Sequence, residues 1–171
     1  MARAADPILF GQPSQDLPTR LSLRRVFDAP RELVWLAWTK PEMTVRWWGP
    51  VEWPVARVTQ DLRVGGEWSA VLKSAVSEET LWQGGVYQLV EPPRRLVFTF
   101  TWGEGHEDGP AVETLVSIEL TALSNEQTLM EFTQSGLKSA ASAVGHRHGW
   151  TSSFDRLDTW FTGRSSKETS A

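Results

Sequence analysis

Three histidines, a single tyrosine and no cysteine leave the chain few side chains for imidazole, phenol or thiolate chemistry. Without cysteine there are no disulfides, thiolate nucleophiles or thiolate zinc sites. His106 falls in the acidic, glycine-bearing stretch Gly103–Pro110, while His146 and His148 stand two apart in a segment of helical period. That spacing splays side chains apart on a helix, so no metal site is expected. His146 lies one helical turn before Trp150, at the edge of an apolar face, and suits a hydrogen bond to the polar end of a ligand. The alternative is a histidine satisfied by a backbone carbonyl near the start of its helix. His148 is expected to face solvent. The facing of Tyr87 is open, which leaves a His146–Tyr87 acid–base pair as a further alternative. Asp61, Glu67 and Glu113 fall beside a turn or on the polar side of alternating segments. There is no inward carboxylate pair, nucleophile elbow or phosphate-cradling glycine pattern. No catalytic residue and no cofactor are therefore expected.

Aromatic surface is what the chain has in quantity: ten tryptophans and seven phenylalanines, with four of the tryptophans between Trp35 and Trp48. So much ring area either fills a core or lines a cavity. The candidates for lining are Trp47, Trp48, Trp68, Trp82, Phe98, Phe100, Trp102, Trp150 and Phe154, with His146 beside them. Leu157 and Phe161, further along the stripe that carries Trp150, are expected to be plain core. Gly145, Gly149 and the serines around them suggest close approach of that helix to another backbone.

These side chains need elements to hold them. Leu21–Phe27 reads as a strand ended by Asp28-Ala29-Pro30, with Asp28 placed to cap the next element. Pro30 suits the first turn of a helix through Trp38, and Pro41 restarts a second short helix that runs to about Trp48 and stops at Gly49-Pro50. From Trp53 to Gln134 the period becomes alternating. Leu96, Phe98, Phe100 and Trp102 share one strand face, and Val112, Thr114, Val116, Ile118 and Leu120 share another. The last element is a helix from about Ser142 to Phe161, with Trp150, Phe154, Leu157 and Phe161 on one side and Asp155, Arg156 and Asp158 on the other. At ~1.5 Å per residue it is roughly 30 Å long, enough to span a sheet. The expected fold is α+β: a curved antiparallel sheet of about seven strands wrapped on a long C-terminal helix, with two short helices after the first strand.

Composition agrees with one domain, since 40% hydrophobic and 22% charged residues is a globular balance. Residues 1–20 read as a flexible arm carrying a short Ile8-Leu9-Phe10 patch, 21–162 as the domain and 163–171 as a flexible tail. No apolar run approaches a signal-peptide core or a membrane span, so a cytoplasmic protein is expected. The net charge is −4 with lysine and arginine scattered, and no nucleic-acid partner is expected.

Four blocks in order, RVFDAPRELVWLAWTKPEMTVRWWGP, DLRVGGEW, GVYQLVEPPRRLVFTF and GHRHGWTSSFDRLDTWF, resemble the bacterial family named after the C-terminal domain of the activator of the 90-kDa heat-shock protein ATPase. That family belongs to the START-like, SRPBCC superfamily, and the resemblance runs from about Leu21 to Phe161. It implies a helix-grip fold that holds an apolar or amphipathic small molecule between sheet and helix, with the loop after Trp47-Trp48 at the cavity rim. A chaperone-activating role is not expected, because the only extension here is the twenty-residue arm. Binding of a hydrophobic or aromatic, lipid-like metabolite is thus the leading expectation. The alternatives are a cyclase- or dehydratase-like enzyme, and an interaction module or homodimer using Trp53, Trp160 or the Ile8-Leu9-Phe10 patch.

Overall fold

Alternating apolar residues pair the strands of this chain into one open antiparallel sheet, seen in a computed structural model that describes residues 19–106 and 109–168. Its elements are β1 (Thr19–Phe27), α1 (Arg31–Thr39), α2 (Pro41–Thr44), β2 (Val55–Gln60), β3 (Glu67–Lys73), β4 (Thr80–Glu91), β5 (Arg95–Trp102), β6 (Thr114–Ala122), β7 (Thr128–Leu137) and α3 (Ala140–Glu168). The strand order is β1-β7-β6-β5-β4-β3-β2, so the chain leaves β1, crosses by the two short helices to the far edge, and meanders back. This is the seven-stranded, helix-gripping arrangement expected from the sequence. The Ile8-Leu9-Phe10 patch and most of the expected arm lie outside the described residues; Thr19 and Arg20 already belong to β1.

The inner face carries the core. Leu96, Phe98 and Phe100 of β5, Val116, Ile118 and Leu120 of β6, and Met130 and Phe132 of β7 are all buried on it. Trp38 of α1 sits at the centre, its ring 4.7 Å from Trp47, 6.4 Å from Phe132 and 6.1 Å from Phe154. Burial of whole aromatic side chains in such a cluster is worth roughly 1.5–3 kcal/mol each, with about another 0.5–1.5 for well-placed ring pairs.

Helix ends differ from expectation in instructive ways. Asp28 does not cap α1: Pro30 occupies the cap position without a side-chain bond, and the Asp28 carboxylate accepts from Gln127 Nε2 at 2.7 Å. Helix α3 begins earlier than expected because Ser139 caps it, its hydroxyl accepting from the Ser142 N–H at 3.0 Å. It also continues past Phe161 to Glu168, through the stretch that reads as a loose tail in the sequence. The polar side of α3 is exposed but also reaches the sheet edge. Asp155 accepts from Arg25 of β1, with Asp158 nearby at 3.9 Å, which ties the helix to the sheet edge.

Candidate binding cavity

Helix α3 rests on β1 and β7, at one side of the sheet. Over β3, β4 and β5 it leaves a gap, which the loop between α2 and β2 roofs. The result is a cavity of about 810 Å³, within the ~300–1,000 Å³ usual for small-molecule sites. Its walls are mainly apolar on the sheet side, with Leu72, Leu81, Phe100 and Trp102 around the amide of Gln83, and on the roof, with Trp48 and Trp53 beside Glu52. The helix contributes Ser142, Gly145, His146, Gly149, Trp150 and Ser153, mostly small residues.

The two glycines overturn the close-approach expectation. A Cβ built on Gly145 or Gly149 meets nothing within 4 Å. A glycine inside a helix is roughly 1 kcal/mol worse than alanine, and here no neighbouring backbone requires it. What both positions supply is volume.

The large rings are held by side-chain hydrogen bonds. Trp48 Nε1 donates to Gln83 Oε1 at 2.8 Å, and Trp150 Nε1 donates to Gln134 Oε1 at 2.8 Å. Gln134 in turn donates to Thr114 Oγ1 at 2.9 Å. Trp102 Nε1 donates to His146 Nε2 at 2.9 Å, and His106 stacks on the Trp102 ring at 3.7 Å. Because an indole N–H can only donate, His146 Nε2 must be the acceptor and the ring proton sits on Nδ1, which reaches the Ser142 carbonyl oxygen at 2.8 Å. The histidine is thus both at the cavity and satisfied by a backbone carbonyl, the two readings left open by the sequence. It does not pair with Tyr87, whose hydroxyl accepts from Gln60 Nε2 at 3.1 Å away from the cavity lining. Burial pushes that hydroxyl up to about 12, against a smaller downward pull from Gln60.

A polar seam on α3 fastens the roof. His148, Ser152 and Arg156, one helical turn apart, meet successive parts of the loop: His148 lies 3.7 Å from Glu52, and Ser152 Oγ accepts from the Val51 N–H at 3.1 Å. Arg156 donates to the carbonyl oxygens of Trp47, Trp48 and Gly49 at 3.3, 3.0 and 2.7 Å. The Trp48 carbonyl oxygen also accepts from the Val55 N–H at 3.0 Å, so Arg156 gathers carbonyls at the end of the short helical turn where the loop begins. Desolvation lowers the Arg156 pKa from its ordinary value, but an arginine keeps its charge. His148 faces solvent as expected, and Arg156, expected opposite the apolar stripe, is partly buried against the loop. Gly49 is the turning point of the loop, at φ +86°, where a Cβ would stand 2.3 Å from the Trp53 carbonyl oxygen.

Of the ten residues singled out in the sequence, Trp48, Phe100, Trp102, His146 and Trp150 line the cavity. Trp68 stands directly behind them, its ring 5.3 Å from Trp48 and 5.7 Å from Phe100, and its N–H donates to the Thr99 carbonyl oxygen. Trp47, Phe98 and Phe154 are fully packed core. Trp82 is a correction: it points to the outer face, 46% exposed, with its ring over Gly84. The inner positions of β4 are instead Leu81, Gln83 and Tyr87. Trp53, expected as exposed interaction surface, lines the cavity, and Trp160 packs on Phe161 beneath Arg164. Gln83, Gly145 and Gly149 were missed as lining residues.

An open seven-stranded antiparallel sheet gripped by one long C-terminal helix, with the chain's cavity between them, defines a START-like helix-grip protein. The chain belongs to the activator of Hsp90 ATPase homolog 1-like protein family, whose model matches residues 28–162. Solved structures share the fold. A Chromobacterium violaceum protein is 25% identical, with 84% of this chain and 97% of that one covered at a TM-score of 0.70. The AHSA1 protein of Silicibacter pomeroyi is 23% identical, with 85% and 99% covered at 0.73. A Nitrosomonas europaea protein is 22% identical, with 90% and 99% covered at 0.69. No curated protein matches the chain. Among the described residues no helix is long and apolar enough to cross a membrane, and no cluster of three metal-ligating side chains is present.

Proposed function

We propose that this protein binds a hydrophobic or aromatic small molecule in the cavity between β3–β5 and the first half of α3. The observation that carries the reading is the pairing of rigid rings with empty helix positions. Trp48, Trp102 and Trp150 are each fixed by a hydrogen bond, while Gly145 and Gly149 face open space. Side chains free to collapse would have filled the gap, since interiors pack to crystal density. Rings that cannot move and a helix that supplies no side chain keep it open.

The test is native mass spectrometry and thermal shift on the full chain, with Gly149→Leu placed in the cavity and Gly163→Leu as a control. Gly163 also lies on α3 with nothing within 4 Å, but it does not line the cavity. The expected result is a retained small-molecule adduct, or a melting-temperature rise with flat apolar compounds, in the wild type and in Gly163→Leu but not in Gly149→Leu. A ligand at a hundred times its Kd raises stability by about 2.7 kcal/mol. A bare mass and an unmoved melting temperature across such compounds would overturn the reading. With both His146 ring nitrogens engaged and Tyr87 elsewhere, no observation favours an enzymatic alternative.

A further inference from the structure

We infer that Gln83 is the polar selector of the cavity, donating from Nε2 to an acceptor oxygen on the ligand, so that the ligand class is a flat apolar molecule bearing a carbonyl or similar acceptor. The inference rests on the cavity being the binding site.

Gln83 lies on the inner face of β4, only 5% exposed, and lines the cavity with Trp48, Phe100 and Trp150. The orientation of its amide is fixed by chemistry. The Trp48 indole has a hydrogen to give and no lone pair to receive one, so the atom 2.8 Å from it must be the amide oxygen. The NH₂ group is therefore turned away from Trp48. Among the described residues none accepts a hydrogen bond from it; the amide's one side-chain bond is the one from Trp48.

The other buried glutamine at the aromatic cluster shows what a purely structural amide looks like. Gln134 accepts from Trp150 through its oxygen and also gives its NH₂ to Thr114, so both ends are used inside the protein. Gln83 holds its tryptophan in the same way and leaves its donor end over. While the cavity holds water that donor is solvated. A ligand that expels the water must either accept from Nε2 or strand it, which weakens binding by roughly tenfold. A hydrocarbon of the same shape incurs that cost, and a ketone does not. The aromatic walls set the shape of the ligand, and Gln83 sets the place of its oxygen.

The experiment compares acetylnaphthalene with ethylnaphthalene of the same ring position, titrated by calorimetry into the full chain and into Gln83→Met and Gln83→Glu. The wild type is expected to prefer the ketone by roughly tenfold. In Gln83→Met, which removes the donor and keeps the length, the preference falls to about onefold. Gln83→Glu retains an acceptor for Trp48 and presents oxygen in place of NH₂, so it loses the preference too and serves if the methionine variant folds poorly. The ratio separates selection from support, because losing the Trp48 anchor alone weakens both probes alike. A wild-type preference that survives in both variants, or a wild type that binds both probes equally, overturns the inference while cavity binding stands. Binding of neither probe removes cavity binding and the inference with it.

Discussion

The two ends of α3 face the same sheet with opposite equipment. From Phe154 to Phe161 the inward positions are Phe154, Leu157 and Phe161, all at most 2% exposed, and they interlock with Trp38, Phe132 and Phe27. From Ser142 to Ser153 the inward positions are dominated by Ser142, Gly145, Gly149 and Ser153, and the rings opposite them meet space. The hydrogen bonds differ in the kind of acceptor: the packed Trp47 donates to the backbone carbonyl of Ala37 at 2.9 Å. In the packed half Trp38 Nε1 has no acceptor among the described residues and is held by ring contacts alone, whereas each of Trp48, Trp102 and Trp150 is tied down by a side-chain acceptor. Where neighbouring atoms surround a ring, as at Trp38, packing can fix it without a bond. Where one side of the ring is open, a directional bond has to do so, because dispersion contacts on that side are missing.

The comparison can be broken most forcefully at Phe154. Phe154→Ala is expected to cost about 3–5 kcal/mol in chemical denaturation. A loss of only about 1 kcal/mol would mean the packed half relaxes as freely as the cavity half. Tyr87 tests the packed interior by pH. Its folded-state value of about 12 against an ordinary 10.0 means its contribution is whole below pH 10 and is lost as pH rises toward 12. Two units correspond to roughly 2–3 kcal/mol. The fall in stability over that window should be steeper in the wild type than in Tyr87→Phe, and equal slopes would show that the phenol is not desolvated.

Arg156→Met probes the seam that holds the roof to the helix. It keeps most of the stem and removes the donors to three carbonyls, with an expected cost of about 1–2 kcal/mol given partial exposure. Hydrogen exchange should quicken in the loop from Trp47 to Trp53; unchanged exchange there would mean that His148 and Ser152 suffice. The smallest effect is also the sharpest. Gly145→Ala and Gly149→Ala should each stabilise by about 0.5–1 kcal/mol, because the helix gains and nothing is struck. Destabilisation of similar size would show that the space is already filled by packing.

Much of this was legible in the sequence. The Trp150, Phe154, Leu157, Phe161 stripe and the alternation in β5 and β6 are strong periodic signals, and they place the helix and sheet correctly. The facing of strand β4 is ambiguous from sequence alone. In TLWQGGVYQLVE the even set Trp82, Val86, Val90 is as apolar as the odd set Leu81, Tyr87, Leu89, and a register shift between Tyr87 and Leu89 brings Leu81, Gln83, Tyr87 and then Val90 to the inner face, which no single alternation predicts. The inner set is decided by pairing, which puts Gln83 across from Trp102 and Tyr87 across from Phe98. With the phase reversed, Trp82 reads as lining and Gln83 stays hidden.

The sequence by itself determined the class of fold, the family, and the fact that aromatic surface far exceeds what chemistry-bearing side chains could use. These are local properties: period, turn residues and composition act within a few neighbours along the chain. Only the tertiary structure decided which rings are core and which are wall, because that depends on the side chain facing each ring from a distant element. Glycine at 145 and 149 means close contact or empty space according to what stands opposite, and α3 lies against β1 and β7 rather than over β4. The offset of one helix across the sheet turned the same aromatic residues into a packed core at one end and a cavity at the other.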